Sequence, residues 1–494
     1  MTQPIDYIVT PQRTGLRGRP TYTAMGDSIY ANGSLNPTVT GITASGTTAT
    51  TASTAHGFQV GQSFRMANAA QAQYNGFFTV ATVPDANSFT YTMKSAPSVT
   101  TATTASAFVC VNQSRYSDRF IPELFNQLSG LKMSLQGNCA VGGDKASDTV
   151  ARLAENLAFY TPDYAFVCVG TNDIANDIAA ATTKANLITI ANTLIAFGVV
   201  PIMTTIPPVG TGASWYSTTR RQNLWNLNDW IIDYFGANPK VVLIDLFAYM
   251  VGPTDANGAY NTSYAESDGV HPSKTGAFAA AGKINTQLAS FMPKPKRAKF
   301  LANNYAGSSS SYELCDVAIL NTATGGTVTG TGASGTAASG LTVTAAGGGS
   351  QTVVASVVAR ADGIGNNQRM VLTGVASLDR AELTLTTSIN GRVSAGDKIV
   401  LEANISGASV GSGFRYVQFG IEHTAGGLSG NTLALSSSGT GFWGEDFDMW
   451  VETPEFVVPA GGVTTLRFKI VFAFQAAGSG TFEVGRISLR KKQT

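Results

Sequence analysis

Between residues 114 and 291 the chain alternates between two hydrophobic periods, and that alternation restricts its possible folds more than any other feature. Tyr116, Phe120, Ile121, Leu124 and Leu128 recur at helical spacing, and LKMSLQG (131–137) then reads as a strand. Val150, Leu153, Ala154 and Leu157 mark a second amphipathic helix, followed by the apolar run YAFVCVG (164–170). Two more cycles place strands near 199–206 and 241–246, and an Ala-rich helix covers 274–290. Strands that are apolar throughout, rather than at every second residue, are those buried on both faces. The pattern predicts an α/β domain: a parallel sheet with helices on both sides.

Two regions break the rhythm. Residues 38–108 have no helical period, and the stretch HGFQVGQSFRMANAAQAQYNGFFTVATVPDANSFTYTM alternates like short strands. Asn75-Gly76 and Pro84-Asp85-Ala86-Asn87 are turn candidates, the second joining FFTVATV to SFTYTM as in a hairpin. A small β-domain is therefore expected at 37–108, inserted into an α/β domain made of 1–36 and 109–292. PKPKRAKF (293–300) reads as an exposed linker. Beyond it, residues 301–494 are strand-like, as in KIVLEANISG, RYVQFGIEH, TTLRFKIVFAF and TFEVGRISLRK, with Gly- and Ser-rich turns between. A two-sheet β-sandwich or jelly roll is the expectation there.

Bulk properties exclude several function classes. A formal net charge of +1 with 13% charged residues offers no electrostatic footprint for nucleic acid or an anionic membrane. The N-terminus lacks the basic-then-apolar pattern of a secretory signal, so synthesis in a cytoplasm is expected. No apolar run is long enough to span a bilayer. Cys110, Cys139, Cys168 and Cys315 show no metal-ligand spacing and read as buried free thiols. Gly330–Gly335 fits GxGxxG and Gly407–Gly411 fits the nucleophile-elbow pattern, but neither sits between a strand and a helix.

Candidate chemistry gathers in four loops. Gly26-Asp27-Ser28 follows an apolar-leaning run, so Ser28 is either a nucleophile or part of a turn. A serine nucleophile needs a base, and the chain has three histidines. His56 lies in the inserted region and His423 in the C-terminal region. His271 lies in SDGVHPSKTG, leading into the last α/β helix, with Asp268 three residues earlier. A carboxylate so placed can hold the imidazole tautomer and stabilise the imidazolium; the alternative is a turn with Ser273 as N-cap. Asn172 in GTND (170–173) follows the strand YAFVCV, where its amide either donates to an oxyanion or caps a helix. NCAVGGD (138–144) offers glycines that let a backbone N–H approach a ligand. In open parallel sheets such loops share the carboxyl edge, where ligands bind.

GDSI (26–29), NCAVGGD (138–144), GTND (170–173) and DGVHP (268–272) stand in the order of the four blocks of the SGNH hydrolases, the GDSL-type esterases, which this chain resembles over residues 20–34 and about 110–290. The resemblance implies a flavodoxin-like three-layer α/β/α core without metal or organic cofactor. It implies Ser28 as nucleophile, His271 as general base and Asp268 as its orienter. The oxyanion donors would be the N–H groups of Ser28 and Gly143 and the side-chain amide of Asn172. Two departures stand out. Ala140 replaces the glycine or serine of many relatives, and the gap between the first two blocks is lengthened by the β-insert.

The insert is similar to small β-modules of bacteriophage tail and baseplate proteins, and the C-terminal region resembles carbohydrate-binding-like jelly-roll modules. Together these likenesses imply a phage tail-associated serine esterase, carried on the virion and acting at the bacterial surface. Its substrate would be an O-acylated, most simply O-acetylated, surface polysaccharide. Attachment to a tail or baseplate and a homotrimeric assembly are further expectations, with no nucleic-acid partner and no membrane insertion. The alternatives are a lipid or thioester hydrolase on the same scaffold, or a glycan-binding tail adhesin with an idle core. For the adhesin, Trp443 and Trp450 in GFWGEDFDMW are either a sugar platform or sandwich-core aromatics.

Overall fold

A computed structural model describes residues 19–31, 37–102, 109–112, 119–252, 258–289, 313–314, 320, 322–411, 413–425, 428–435 and 445–492. Five parallel strands form one sheet in the spatial order Val242–Ile244, Val200–Thr204, Tyr164–Cys168, Thr21–Gly26, Ser134–Asn138. The chain leaves the first strand toward the Ser134–Asn138 edge and later returns to its other side. The strand that ends at Gly26 therefore lies at the point where the winding reverses.

Alternate residues of these strands feed two cores. Tyr22, Ala24, Phe166 and Ile202 pack in one cluster with the helices Ile121–Leu128 and Lys274–Leu288. Met25, Ala165, Val167 and Met203 pack in another with Ala146–Phe159, Ala180–Ala196 and Thr218–Gly236. Both faces are thus covered, which is why these strands carry no polar alternation. Each fully buried large apolar side chain contributes roughly 1.5–3 kcal/mol, and Tyr22 and Phe166 add an edge-to-face ring contact at 5.5 Å.

Two elements differ from the periodicity. The strand expected at 131–137 is Ser134–Asn138. Leu131 has φ +54, a setting a strand cannot contain, so the chain turns before it pairs. The first helix begins at Ile121 with Pro122 in its first turn, where the missing N–H costs nothing.

The inserted region is a seven-stranded antiparallel sheet. Its hairpin joins Gly76–Asp85 to Ser88–Thr92 through Ala86-Asn87, and Asp85 Oδ1 accepts from Asn87 N–H at 2.7 Å. Phe58, Phe64, Phe89 and Tyr91 build its core with edge and tilted ring contacts. The strand Val109–Asn112 pairs with Ser63–Ala67, so this sheet runs past residue 108. A short apolar segment reads equally well as a strand of either unit, and only the pairing decides. Tyr160 pins the insert to the α/β unit by donating to Ser63 Oγ at 2.8 Å, while Phe77 stacks on Phe159.

From residue 322 onward the described residues form two β-sheets, consistent with a C-terminal β-sandwich. Phe472 and Phe482, from different sheets, stack with centroids 4.5 Å apart. The expected linker 293–300 lies outside the described residues. Arg19, just before the first strand, pairs with Glu402 at 2.7 Å and Glu452 at 3.3 Å, and so ties the α/β unit to the C-terminal region. Trp450 is half-buried on the face of its strand opposite the buried Met449 and Val451, so it is not a core aromatic; Trp443 lies outside the described residues.

Candidate active site

Gly26 ends its strand at φ +124, and a Cβ there would lie 1.8 Å from the carbonyl oxygen of Cys168 on the neighbouring strand. Only glycine allows that approach. The chain then turns sharply: Asp27 N–H donates to the Cys168 carbonyl at 3.0 Å, and Asp27 Oδ1 accepts from Ile29 N–H at 3.0 Å. Asp27 is fully buried, and burial pushes its carboxyl up to about 6. This residue holds the turn that carries Ser28, which begins the one-turn helix Ser28–Ala31 and is partly exposed.

The second loop leans on that turn. Asn138 donates from Nδ2 to the Tyr30 carbonyl at 2.8 Å and accepts from Ala140 N–H at 3.1 Å. Val141 N–H donates to the Gly26 carbonyl at 2.9 Å. Val141 and Asp144 close a β-turn with Gly142 and Gly143 at its centre. Gly143 takes the left-handed φ of +87 in open space, and a Cβ on Gly142 would lie 3.8 Å from Ser28 Cβ. Gly142 therefore passes directly beside Ser28, with Gly143 next to it in the turn.

The third loop joins the same group. Asn172 Nδ2 donates to the Asp144 carbonyl at 2.9 Å, using one of the two N–H groups an amide carries. Asp173 is buried; it accepts from Ala146 N–H at 2.9 Å and from the Thr183 hydroxyl at 3.0 Å. The capping role weighed for this motif thus falls to Asp173, leaving Asn172 beside the glycine turn. Asp144 is fastened in turn by an ion pair with Arg152, a partner that no short-range pattern singles out.

On the fourth loop, His271 Nδ1 lies 2.6 Å from Asp268 Oδ2. Asp268 Oδ1 accepts from the N–H groups of Val270 at 2.8 Å and His271 at 3.0 Å. Burial raises the Asp268 carboxyl, but the hydrogen bonds from His271 and Val270 outweigh it and hold the group below its usual range. The loop is stiffened from behind by Gly210 N–H to the Gly269 carbonyl at 2.7 Å and by the Tyr260 hydroxyl to the Val270 carbonyl at 3.0 Å. Ser273 is the N-cap of the following helix, accepting from Gly276 N–H at 3.1 Å. The turn-and-cap alternative and the carboxylate–imidazole pair coexist here. Asp27 also lies within electrostatic reach of His271, on the fourth loop.

His56 and His423 lie elsewhere, lining a cleft of about 690 Å³ between the insert and the C-terminal region. Among the described residues no group of three His, Cys, Asp or Glu side chains could hold a metal ion. Likewise no helix among them is long and apolar enough to cross a membrane. Cys139 and Cys168 are free and buried.

Residues 97–277 match the family model of the GDSL-like lipase/acylhydrolase family. The match begins within the inserted sheet and so leaves out Ser28, whose block precedes the insert. No curated protein matches the chain in sequence. Among solved structures, the chain is similar to a lipase/acylhydrolase from Enterococcus faecalis, with 22% identity over 36% of this chain and 88% of that one and a TM-score of 0.30. It is also similar to a GDSL-like lipase from Bacteroides thetaiotaomicron, with 23% identity over 34% of this chain and 80% of that one and a TM-score of 0.29. The family match covers the later part of the α/β unit, from the helix Ile121–Leu128 to the start of Lys274–Leu288, and supports a GDSL-like lipase/acylhydrolase domain there.

Proposed function

We propose that the protein is a serine esterase that removes O-acyl groups, most simply O-acetyl, from a bacterial surface polysaccharide. Acylhydrolase chemistry is supported by the family match. What supports the assignment of roles is that the loops carrying Ser28, the Gly142-Gly143 turn and Asn172 adjoin one another, with the His271–Asp268 pair within electrostatic reach of Asp27 beside Ser28.

In this reading Asp268 keeps the proton of His271 on Nδ1, leaving Nε2 to take the proton of the Ser28 hydroxyl as Oγ attacks the ester carbonyl. The negative charge that forms on the carbonyl oxygen is met by the N–H groups of Ser28 and Gly143 and the free N–H of Asn172. His271 then returns the proton to the departing sugar oxygen. An acyl group is left on Ser28. Water, deprotonated by His271, attacks this acyl-enzyme; the acid is released and the serine regains its proton.

The insert and the C-terminal region support a polymeric surface substrate and a place on a phage tail, by their likeness to modules of such proteins. Acetate release from candidate host polysaccharides, measured for wild type and Ser28→Ala side by side, tests the reading. Release by wild type alone is the expected result; equal release by both would remove Ser28 from the mechanism.

A further inference from the structure

The cleft of about 690 Å³ lies away from the Ser28 loops, and its walls come from two regions of the chain. The insert contributes His56, Phe58, Gln59, Gln62 and Pro84; the C-terminal region contributes His423, Ser429, Asn431, Thr432 and Phe456. The volume falls within the roughly 300–1,000 Å³ of small-molecule sites.

The walls are built rather than accidental. Gln59 Nε2 donates to the Asn431 carbonyl at 3.3 Å and to His423 Nε2 at 3.2 Å, while Gln59 Oε1 accepts from the Thr432 hydroxyl. A carbonyl can only accept, so Asn431 fixes which end of the Gln59 amide faces His423. His423 Nε2 is therefore an acceptor and its ring proton sits on Nδ1. The ring stacks on Phe456 at 4.1 Å and is 7% exposed, and its Nδ1 has no hydrogen-bond partner among the described residues. Across the cleft His56 Nδ1 accepts from Phe58 N–H at 3.0 Å, and its Nε2 faces the carbonyls of Asp85 and Ser88. Each imidazole thus has a ring nitrogen that accepts a hydrogen bond: Nε2 in His423 and Nδ1 in His56.

Among the described residues no lysine, arginine, aspartate or glutamate lines the cleft. Phosphates, carboxylates and cations find no counter-charge there. A long acyl chain would need a continuously apolar tunnel, whereas these walls alternate Phe and Pro surfaces with amides, hydroxyls and imidazoles. The complementary ligand is uncharged, with apolar C–H faces and many hydroxyl groups at its edges. We propose that this cleft binds an uncharged segment of a saccharide chain, as a second holding site separate from the ester-cleaving loops. The glycan identity rests on the function proposed above, while the cleft itself does not depend on Ser28.

The test is calorimetric binding to the full chain bearing Ser28→Ala, so that no turnover intervenes. The probes are maltohexaose, cellohexaose, chitohexaose and hexasaccharide-sized fragments of the host polysaccharide after de-O-acetylation. A galacturonate hexamer and a neutral Pro/Gln hexapeptide serve as comparisons. Expected is saturable binding of at least one uncharged saccharide, weakened tenfold or more by Ser429→Trp or by Ala86→Trp, which fill the two exposed rims. In the Ser28 background both rim variants should hydrolyse 4-nitrophenyl acetate as wild type does, showing that they fold. Absence of binding by every uncharged saccharide, binding unchanged in both rim variants, or tighter binding of the peptide or galacturonate would each overturn the proposal. Failure of wild type to release acetate from any glycan would instead overturn the proposed substrate and leave the binding result standing.

Discussion

His271 and Asp268 are joined twice: Nδ1 meets Oδ2 at 2.6 Å, and the backbone N–H of His271 donates to Oδ1 at 3.0 Å. One carboxylate thus fixes the ring and the backbone that carries it. Asp268→Asn keeps an oxygen for the backbone donors but can present an N–H to Nδ1, which favours the wrong tautomer. The expected outcome is a fall in kcat of about 10²–10⁴ with little change in KM, since a comparable loss follows the same change in a serine-protease triad. Steady-state hydrolysis of 4-nitrophenyl acetate measures it. An unchanged kcat would remove Asp268 from the mechanism.

Asn172 has two duties. Its amide donates to the Asp144 carbonyl, and in the proposed mechanism its other N–H meets the oxyanion. Asn172→Ala removes both, and kcat is expected to fall by about 10²–10³. Asn172→Asp keeps the side-chain shape but removes both donors and sets a carboxylate oxygen against the Asp144 carbonyl, so the same loss in kcat is expected, with a lowered thermal midpoint. Wild-type activity in either variant would remove Asn172 from the oxyanion site.

The α/β sheet and the order of the four loops were legible in the sequence because buried parallel strands leave continuous apolar runs. Some local pairings were legible too, because the partners lie a few residues apart: Asp268 meets His271, and Ser273 caps the helix at Gly276. What escaped depends on contacts distant in sequence. Asp173 reaches the helix start at Ala146, Arg152 reaches Asp144, and Val109–Asn112 belongs to the inserted sheet through its pairing with Ser63–Ala67. The cleft between the insert and the C-terminal region brings Gln59 to His423, 364 positions apart. No periodicity signals such an encounter.

Gly26 is a sharper test of the nucleophile turn than any catalytic variant. Gly26→Ala combines a positive φ, costing about 1–2 kcal/mol, with a Cβ driven into the Cys168 carbonyl. Overpacking adds about 1–3 kcal/mol more. A loss of about 3 kcal/mol or more in urea unfolding is expected, or no soluble protein. Gly143→Ala provides the contrast: its φ is +87 but no atom lies within 4 Å of the added carbon. It should lose only the backbone cost of about 1–2 kcal/mol. Equal losses in the two variants would refute the close approach at Gly26.

Glu123 gives the pH dependence of the fold a specific source. It is buried on the helix Ile121–Leu128, accepts from the Tyr22 hydroxyl, and burial pushes its carboxyl up to about 7 from 4.5. The folded state therefore holds this proton more tightly than the unfolded chain does. Below about pH 4.5 both states are protonated and Glu123 costs nothing. As pH rises toward 7 the unfolded chain ionises freely while the folded protein must keep the proton or bury a charge, so stability is lost across that window. A shift of this size corresponds to at most about 3 kcal/mol. Glu123→Gln keeps an acceptor for Tyr22 and cannot ionise. Its stability relative to wild type, from urea unfolding at pH 4 to 8, should stay level below pH 4.5 and rise in favour of glutamine up to a plateau above pH 7. A difference that does not vary with pH would show that Glu123 titrates alike in the folded and unfolded states, with the hydrogen bonds from Tyr22, Asn126 and Gln127 offsetting its burial.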